Sequence, residues 1–359
     1  MLTFIKRTVQ IILALIILAW LITVIALQFE SHEYYQVSEQ EKTEATEYLK
    51  GKIAKTPDNW VYETFSPEAG INLRTGSIDH PDAKATIVLV PGFTGTIELS
   101  MATIVKLNQA GYRVASIEYR GQGDSHRPLN NPEKGYVEDY AILASDVAKF
   151  ARKVKRADEP MVFMSMSKGA HITMRMAAEQ NLDVKAFSLV VPMIQINSGE
   201  LEYSSLSTLA NTLNTIGFGK MYAPGNAQWP PLPLRFGEAN RCNANPETAQ
   251  TQSALFALNE SLRTRGVTIK WLKETVGSSK KLLDPQYMKA VSQPVKIFTA
   301  GDDRLVRTDV ATEFCKSLAD CEVTHFEEAR HCINREDETV MNEIIRQSLV
   351  HFDKALAEL

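Results

Sequence analysis

Residues 162–171 read "VFMSMSKGAH", and the conformation of this stretch decides the fold. "PMVFMS" (160–165) is an apolar run of strand length, and residues 168–181 carry helical spacing. Between strand and helix stand two serines one residue apart. A strand that passes at once into a helix turns sharply, so small residues belong two positions either side of the apex. With Ser167 at the apex those flanks are Ser165 and Gly169. With Ser165 there they become Phe163 and Ser167, and the phenyl ring clashes in such a turn. Ser167 is therefore the candidate nucleophile, and Ser165 a small filler of the turn.

The surroundings repeat the same strand-then-helix rhythm. "WVYETF" (60–65) and "GINLRTGSI" (70–78) read as an opening pair of strands around the turn residues "SPEAG". "ATIVLVPGF" (85–93) is a continuous β-branched run, the mark of a strand buried on both faces of a parallel sheet. A helix over 97–110, the strand "YRVASIEYR" (112–120) and a helix through "YVEDYAILASDVAKFARKV" (136–154) lead to the serine turn. The strand "VKAFSLVVP" (184–192) follows it. Regularity then fails over about 194–290, where helical stretches and proline-rich loops occur without strands. It resumes with "PVKIFTAGDD" (294–303), a helix over 308–318, the strand "CEVTHFEE" (321–328) and a final helix over 336–357. Repeated β-α units predict an α/β fold with a mostly parallel sheet and helices on both faces. Residues 58–193 and 291–359 form its core, and 194–290 an inserted helical cap.

A serine nucleophile needs a base and an orienting acid, and after an elbow of this kind they follow in the order acid, then histidine. "KIFTAGDDRLV" (296–306) sets two aspartates just past the C-terminal end of a strand, where open sheet enzymes build their sites. Asp303 has the Asp-x-x-Val spacing through Val306, whereas Asp302 is one residue early, and both stay in consideration. "FEEARHCINRED" (326–337) puts His331 between the last strand and the last helix. The other six histidines read as surface or packing residues. Two backbone N–H groups must hold the developing oxyanion. One belongs to Lys168, directly after the nucleophile. The other belongs to Phe93 in the loop "VPGFTGT" (90–96). "RGQGDS" (120–125) is glycine-rich but matches no phosphate-binding pattern.

The N-terminus adds a membrane element. From Thr8 to Phe29 the chain carries no charge, enough to span a bilayer as one helix. Lys6 and Arg7 precede this stretch and Glu30 and Glu33 follow it. The positive-inside tendency then leaves the N-terminus in the cytoplasm and exports the rest. Residues 1–29 read as an uncleaved anchor, with a cleaved signal peptide ending at Ala26 as the rival. Residues 30–57 are charged, lack a strong apolar stripe, and read as a polar, partly helical stalk. The expected location is the inner (cytoplasmic) membrane, single-pass, with the globular part outside the cytoplasm, which is the periplasmic side in a Gram-negative cell. In an oxidising compartment Cys315 and Cys321 either pair or remain two buried thiols. No Cys/His spacing indicates a metal, and no cofactor motif is present. The formal net charge of -4 and the lack of a long basic run give no reason to expect nucleic-acid binding. Oligomeric state is not legible.

Several segments resemble one family in order along residues 57–359. They are "PGF" (91–93), "EYRGQGDS" (118–125), the serine elbow, "LVVPM" (189–193), "DDRLV" (302–306) and "RHC" (330–332). The pattern resembles the α/β-hydrolase branch of bacterial lysophospholipases and monoacylglycerol lipases, and "TIKWLKETVGSSKKLL" (268–283) is similar to the lysophospholipases in particular. The resemblance implies a Ser167–Asp303–His331 triad, a cap over the site and a single-chain acyl ester as substrate. Trp229, Phe236 and Trp271 then become candidate lining residues of an acyl pocket. Three departures stand out: Pro91-Gly92 for the family's His-Gly, Ser165 for the glycine two before the nucleophile, and Lys168 for a commonly apolar residue. An esterase, thioesterase or peptidase acting on a soluble substrate, and a catalytically silent binding scaffold, are the alternatives.

Overall fold

The computed structural model describes residues 2–229, 239–335 and 338–358, with side chains from Phe4 onward. β1 (Val61–Glu68) and β2 (Ile71–Ile78) form the opening hairpin. β3 (Thr86–Val90), β4 (Arg113–Ile117), β5 (Met161–Met166), β6 (Phe187–Val190), β7 (Val295–Ala300) and β8 (Cys321–Phe326) complete a sheet ordered β1-β2-β4-β3-β5-β6-β7-β8. The pairings from β4 through β8 are parallel, and those at the β1 edge antiparallel. β3 and β5 lie at the centre with Val90 opposite Ser165, so the two loops that follow them open side by side.

Helices cover both faces because strands β3 to β7 are apolar on both sides. One face carries α4 (Tyr140–Val154), α5 (Lys168–Glu179) and α10 (Thr308–Lys316), which bury Leu143, Phe150, Ile172 and Phe314. The other carries α3 (Ile97–Gln109) and α11 (Glu338–Ala357), which bury Met101, Ile104, Ile345 and Phe352. The strand expected to reach Arg120 ends at Ile117. Glu118, wholly buried, instead accepts hydrogen bonds from the amides of Ile97 (2.9 Å) and Asp124 (2.8 Å). Between β6 and β7, residues 191–294 hold α6 (Tyr203–Leu213), α7 (Thr251–Leu258), α8 (Ile269–Leu282) and the short α9 (Pro285–Met288). No strand occurs there among the described residues.

α1 (Leu2–Ala26) is a single helix whose span Phe4–Ala26, uncharged after Arg7, has mean hydropathy 2.8 and is long enough to cross a membrane. It ends at Ala26 rather than Phe29, where Leu27–Phe29 turn. Near its end the Trp20 indole donates to the Ile216 carbonyl at 2.7 Å.

The segment after α1 corrects the expectation of a solvated stalk. α2 (Glu39–Leu49), started by a Ser38–Glu41 capping box, lies against α7. Ala45 is wholly buried, in a cluster with Trp229, Leu255 and Phe256 that Tyr35, Val37 and Tyr48 flank. The Arg263 guanidinium stacks 4.2 Å from the Trp229 ring and donates to the Tyr35 carbonyl. Lys134 pairs with Glu30. Few apolar residues suffice for docking because their partners supply most of the apolar surface.

Candidate active site

Ser167 stands between β5 and α5 with φ 51° and ψ −117°, a conformation that L residues seldom hold. Neighbouring backbone fixes it. Its N–H donates to the Val190 carbonyl at 2.9 Å, and its own carbonyl accepts from His171 (3.1 Å) and Met193 (3.1 Å). Gly169 is required for that closeness: a Cβ there would lie 2.3 Å from the Val90 carbonyl oxygen and 2.4 Å from that of Pro91. Ser165 is accommodated without a positive φ, its buried hydroxyl 2.7 Å from that of Thr173 on α5.

The loops after β7 and β8 bring the other two groups. His331 Nε2 lies 2.7 Å from Ser167 Oγ, and His331 Nδ1 lies 2.7 Å from Asp303 Oδ2. The second Asp303 oxygen accepts from the amides of Leu305 and Val306, each at 2.9 Å, so the loop backbone aims the carboxylate. Asp302 faces elsewhere. It pairs with Arg304 and Arg330 at 2.8 Å each, and hydrogen bonding from Arg304, then Arg330, draws its pKa down to about 2. Ser167 and His331 are both buried.

The amides of Phe93 and Lys168 form no hydrogen bond among the described residues. The Phe93 loop is held from behind by Gln122, a residue that the sequence reading passed over in "RGQGDS". Its Nε2 donates to the carbonyls of Gly92 (2.9 Å) and Gly95 (3.2 Å), and its Oε1 accepts from the Thr94 amide (3.3 Å). That glycine-rich loop braces another loop. Its one legible signal was its place after a strand. The Lys168 ammonium does not line the cavity. It sits buried among the rings of Tyr119 (4.8 Å), Phe93 (5.5 Å) and Tyr140 (6.0 Å), and burial lowers its pKa to about 7.

Above Ser167 opens a cavity of about 650 Å³. Its apolar wall includes Phe93, Leu99, Met193, Phe256, Trp229 and Trp271, with the Trp271 ring 5.6 Å from that of Phe93. Phe236 lies outside the described residues. A disulfide joins Cys242 to Cys332, the neighbour of His331, across 90 residues. The sequence reading named no partner for Cys332. A second disulfide joins Cys315 and Cys321 across the turn between α10 and β8.

Sheet, elbow and the ordered Ser, Asp and His define an α/β-hydrolase. The family described as "Serine aminopeptidase, S33" matches residues 81–338, and the chain belongs to it. It is an enzyme of the carboxylic ester hydrolase class. The chain is 22% identical over 245 residues to the probable lysophospholipase L2 of Haemophilus influenzae, covering 67% of this chain and 75% of that one. It is also 22% identical over 232 residues to the lysophospholipase L2 of Escherichia coli, covering 64% of this chain and 67% of that one. Among solved structures, a soluble variant of monoglyceride lipase from Saccharomyces cerevisiae in complex with a substrate analogue has a TM-score of 0.66. The identity is 17%, covering 84% of this chain and 96% of that one. A carboxyl esterase from Bacillus coagulans has a TM-score of 0.64 at 16% identity, covering 84% of this chain and all of the other. At these identities the two structures establish the fold.

Proposed function

We propose that this chain is a membrane-anchored serine hydrolase that cleaves the carboxylic ester of a single-chain lipid, a lysophospholipid or a monoacylglycerol. The observation that carries the reading is the unbroken Asp303–His331–Ser167 chain of 2.7 Å contacts beneath a largely apolar cavity. His331 takes the Ser167 proton as Oγ attacks the ester carbonyl, and the amides of Phe93 and Lys168 receive the oxyanion. His331 then protonates the departing alcohol, leaving an acyl-enzyme. Water, deprotonated by the same imidazole, releases the fatty acid and restores the serine. Asp303 orients the imidazole and stabilises its charged form. The segment 194–290 acts as a cap on the core formed by 58–193 and 291–359. Its tryptophans Trp229 and Trp271 line an acyl site, and Cys242–Cys332 ties the cap to the histidine loop.

α1 serves as the anchor, with Lys6 and Arg7 on the cytoplasmic side. The globular part then lies on the outer side of the inner membrane, where oxidising conditions support both disulfides. A single-chain lipid suits a site beside a bilayer, because each buried CH₂ resists extraction by about 0.8 kcal/mol and one chain leaves more readily than two.

The test uses the full-length chain in neutral detergent. Fluorophosphonate labelling and fatty-acid release from a lysophospholipid are compared between wild type and Ser167→Ala. Loss of labelling, together with a fall in turnover of about 10⁴-fold or more, is expected. Labelling that survives the substitution would remove Ser167 from the mechanism. Labelling of wild type without acyl release would leave the nucleophile and remove the lipid.

A further inference from the structure

The cavity above Ser167 is lined by Arg241, Arg265, Arg304 and Arg335, and by no aspartate or glutamate among the described residues. The whole chain carries an excess of acidic groups, so this is a local reversal of charge. The four differ in how far they are committed. Arg304 is held by Asp302, and Arg241 donates to the Arg304 carbonyl at 3.1 Å. Arg265, exposed at the rim in the loop before α8, has no side-chain partner among the described residues, and its backbone N–H donates to the Glu133 carbonyl at 2.9 Å. Arg335, in the turn Ile333–Arg335 after His331, gives one N–H to Cys332 Sγ. Partial burial lowers the pKa of Arg265, and burial lowers that of Arg335 to about 10. The donors of a guanidinium form a planar fork that matches a phosphate.

We infer that Arg265 and Arg335 form an anion subsite that receives the phosphate of an acidic head group, so that the preferred substrate is a single-chain lipid with net negative charge. This rests on the Ser167 reading and sharpens it. A neutral monoacylglycerol leaves both guanidinium groups without a partner. A zwitterionic head group satisfies them but finds no carboxylate for its amine among the described lining residues. An acidic phosphodiester meets both conditions.

The experiment measures kcat/KM of the full-length chain in mixed micelles of neutral detergent, using three substrates with the same acyl chain. These are a monoacylglycerol, a lysophosphatidylcholine and a lysophosphatidylglycerol. Wild type is expected to favour the lysophosphatidylglycerol over the monoacylglycerol by about tenfold to a hundredfold, the range of a charged hydrogen bond. Arg265→Ala with Arg335→Ala should collapse that ratio towards one, the lysine replacements should restore part of it, and added salt should compress it in wild type. Dodecyl phosphate should inhibit hydrolysis of p-nitrophenyl butyrate more strongly than inorganic phosphate at matched ionic strength. Equal inhibition would reassign the subsite to a free anion and overturn the head-group proposal. A wild-type ratio near one, or a ratio unchanged by the substitutions, would also overturn it. So would an equal loss on all substrates with slowed fluorophosphonate labelling, which reports a structural role. If wild type neither labels nor cleaves the butyrate ester, the Ser167 reading itself falls. If it does both but cleaves no lysolipid, only the head-group subsite and the lipid reading fall.

Discussion

Around Ser167 the contacts are between backbone atoms of neighbouring strands: Val90 and Pro91 press on Gly169, and Val190 and Met193 hold the serine. Around Trp229 the contacts are between side chains from remote parts of the chain: Tyr35, Ala45, Phe256 and Arg263. The first region is fixed by steric exclusion and strand pairing, which leave little freedom of residue choice at the turn. The second is fixed by burial and stacking, which many side chains can satisfy. The proposed triad sits on the rigid half, and much of the proposed acyl site sits on the adaptable half. Chemistry should therefore fail abruptly under substitution, and substrate range should drift gradually.

The disulfide between the two halves gives the largest way to strain that contrast. Cys242→Ser removes a closure across 90 residues, for which chain entropy predicts a loss of about 4–5 kcal/mol. Thermal unfolding under non-reducing conditions should show a lower Tm, and mild reductant should reproduce it in wild type. An unchanged Tm would mean that the two halves do not depend on the crosslink. Within the rigid half, Gln122→Ala takes three hydrogen bonds from the loop that presents the Phe93 amide. We expect kcat to fall about 10²-fold with KM little affected, the size of a lost oxyanion donor. A loss confined to KM would place Gln122 outside that role.

Smaller effects belong to the adaptable half. Ala45→Lys puts a charge into the wholly buried contact between α2 and α7, at a cost of about 2–3 kcal/mol. Segment 30–57 should then become sensitive to limited proteolysis and KM should rise several-fold, while Ser167 still labels. An unaltered cleavage pattern would argue that α2 does not brace the cap. The smallest effect concerns Lys168, whose pKa lies near 7 in the fold against a usual 10.5. Between those values the unfolded chain keeps a proton that the folded chain has released, so stability rises with pH across the window. Below about pH 7 both states are protonated, and the cost of the buried charge is complete and flat. The three surrounding rings offset part of it by cation–π attraction. Lys168→Met keeps the backbone N–H and should abolish the rise in Tm between pH 7 and 10 while raising Tm at pH 7. A slope that survives the substitution would assign the titration to another group.

Legibility in the sequence followed the same division. The parallel sheet could be read because strands buried on both faces must be continuous apolar runs, and the turn at Ser167 because sterics forbid Phe163 where Ser165 stands. Asp303 was favoured over Asp302 by spacing to Val306, and the structure gives the physical reason. Oδ1 of Asp303 needs the amides at 305 and 306, while Asp302 is drawn outward by two arginines. The stalk was misread because the residues that dock there, Ala45 with Tyr35, Val37, Tyr48, Leu49 and Ile53, are scattered among charged ones, and because their partners lie some two hundred residues away. The Cys242–Cys332 pair was missed because no local spacing links cysteines 90 residues apart.

The sequence by itself determined the order of strands and helices, the serine at the turn after β5, the aspartate and histidine that follow it, and an apolar N-terminal helix. All of these are set by neighbours within a few residues. Only the tertiary structure decided which glycine-rich loop braces which, where the segment after α1 rests, which cysteines meet, and that four arginines line one cavity with no carboxylate among its described lining residues. Each of those depends on groups distant in the chain becoming adjacent in space, and burial and charge compensation act only once they are.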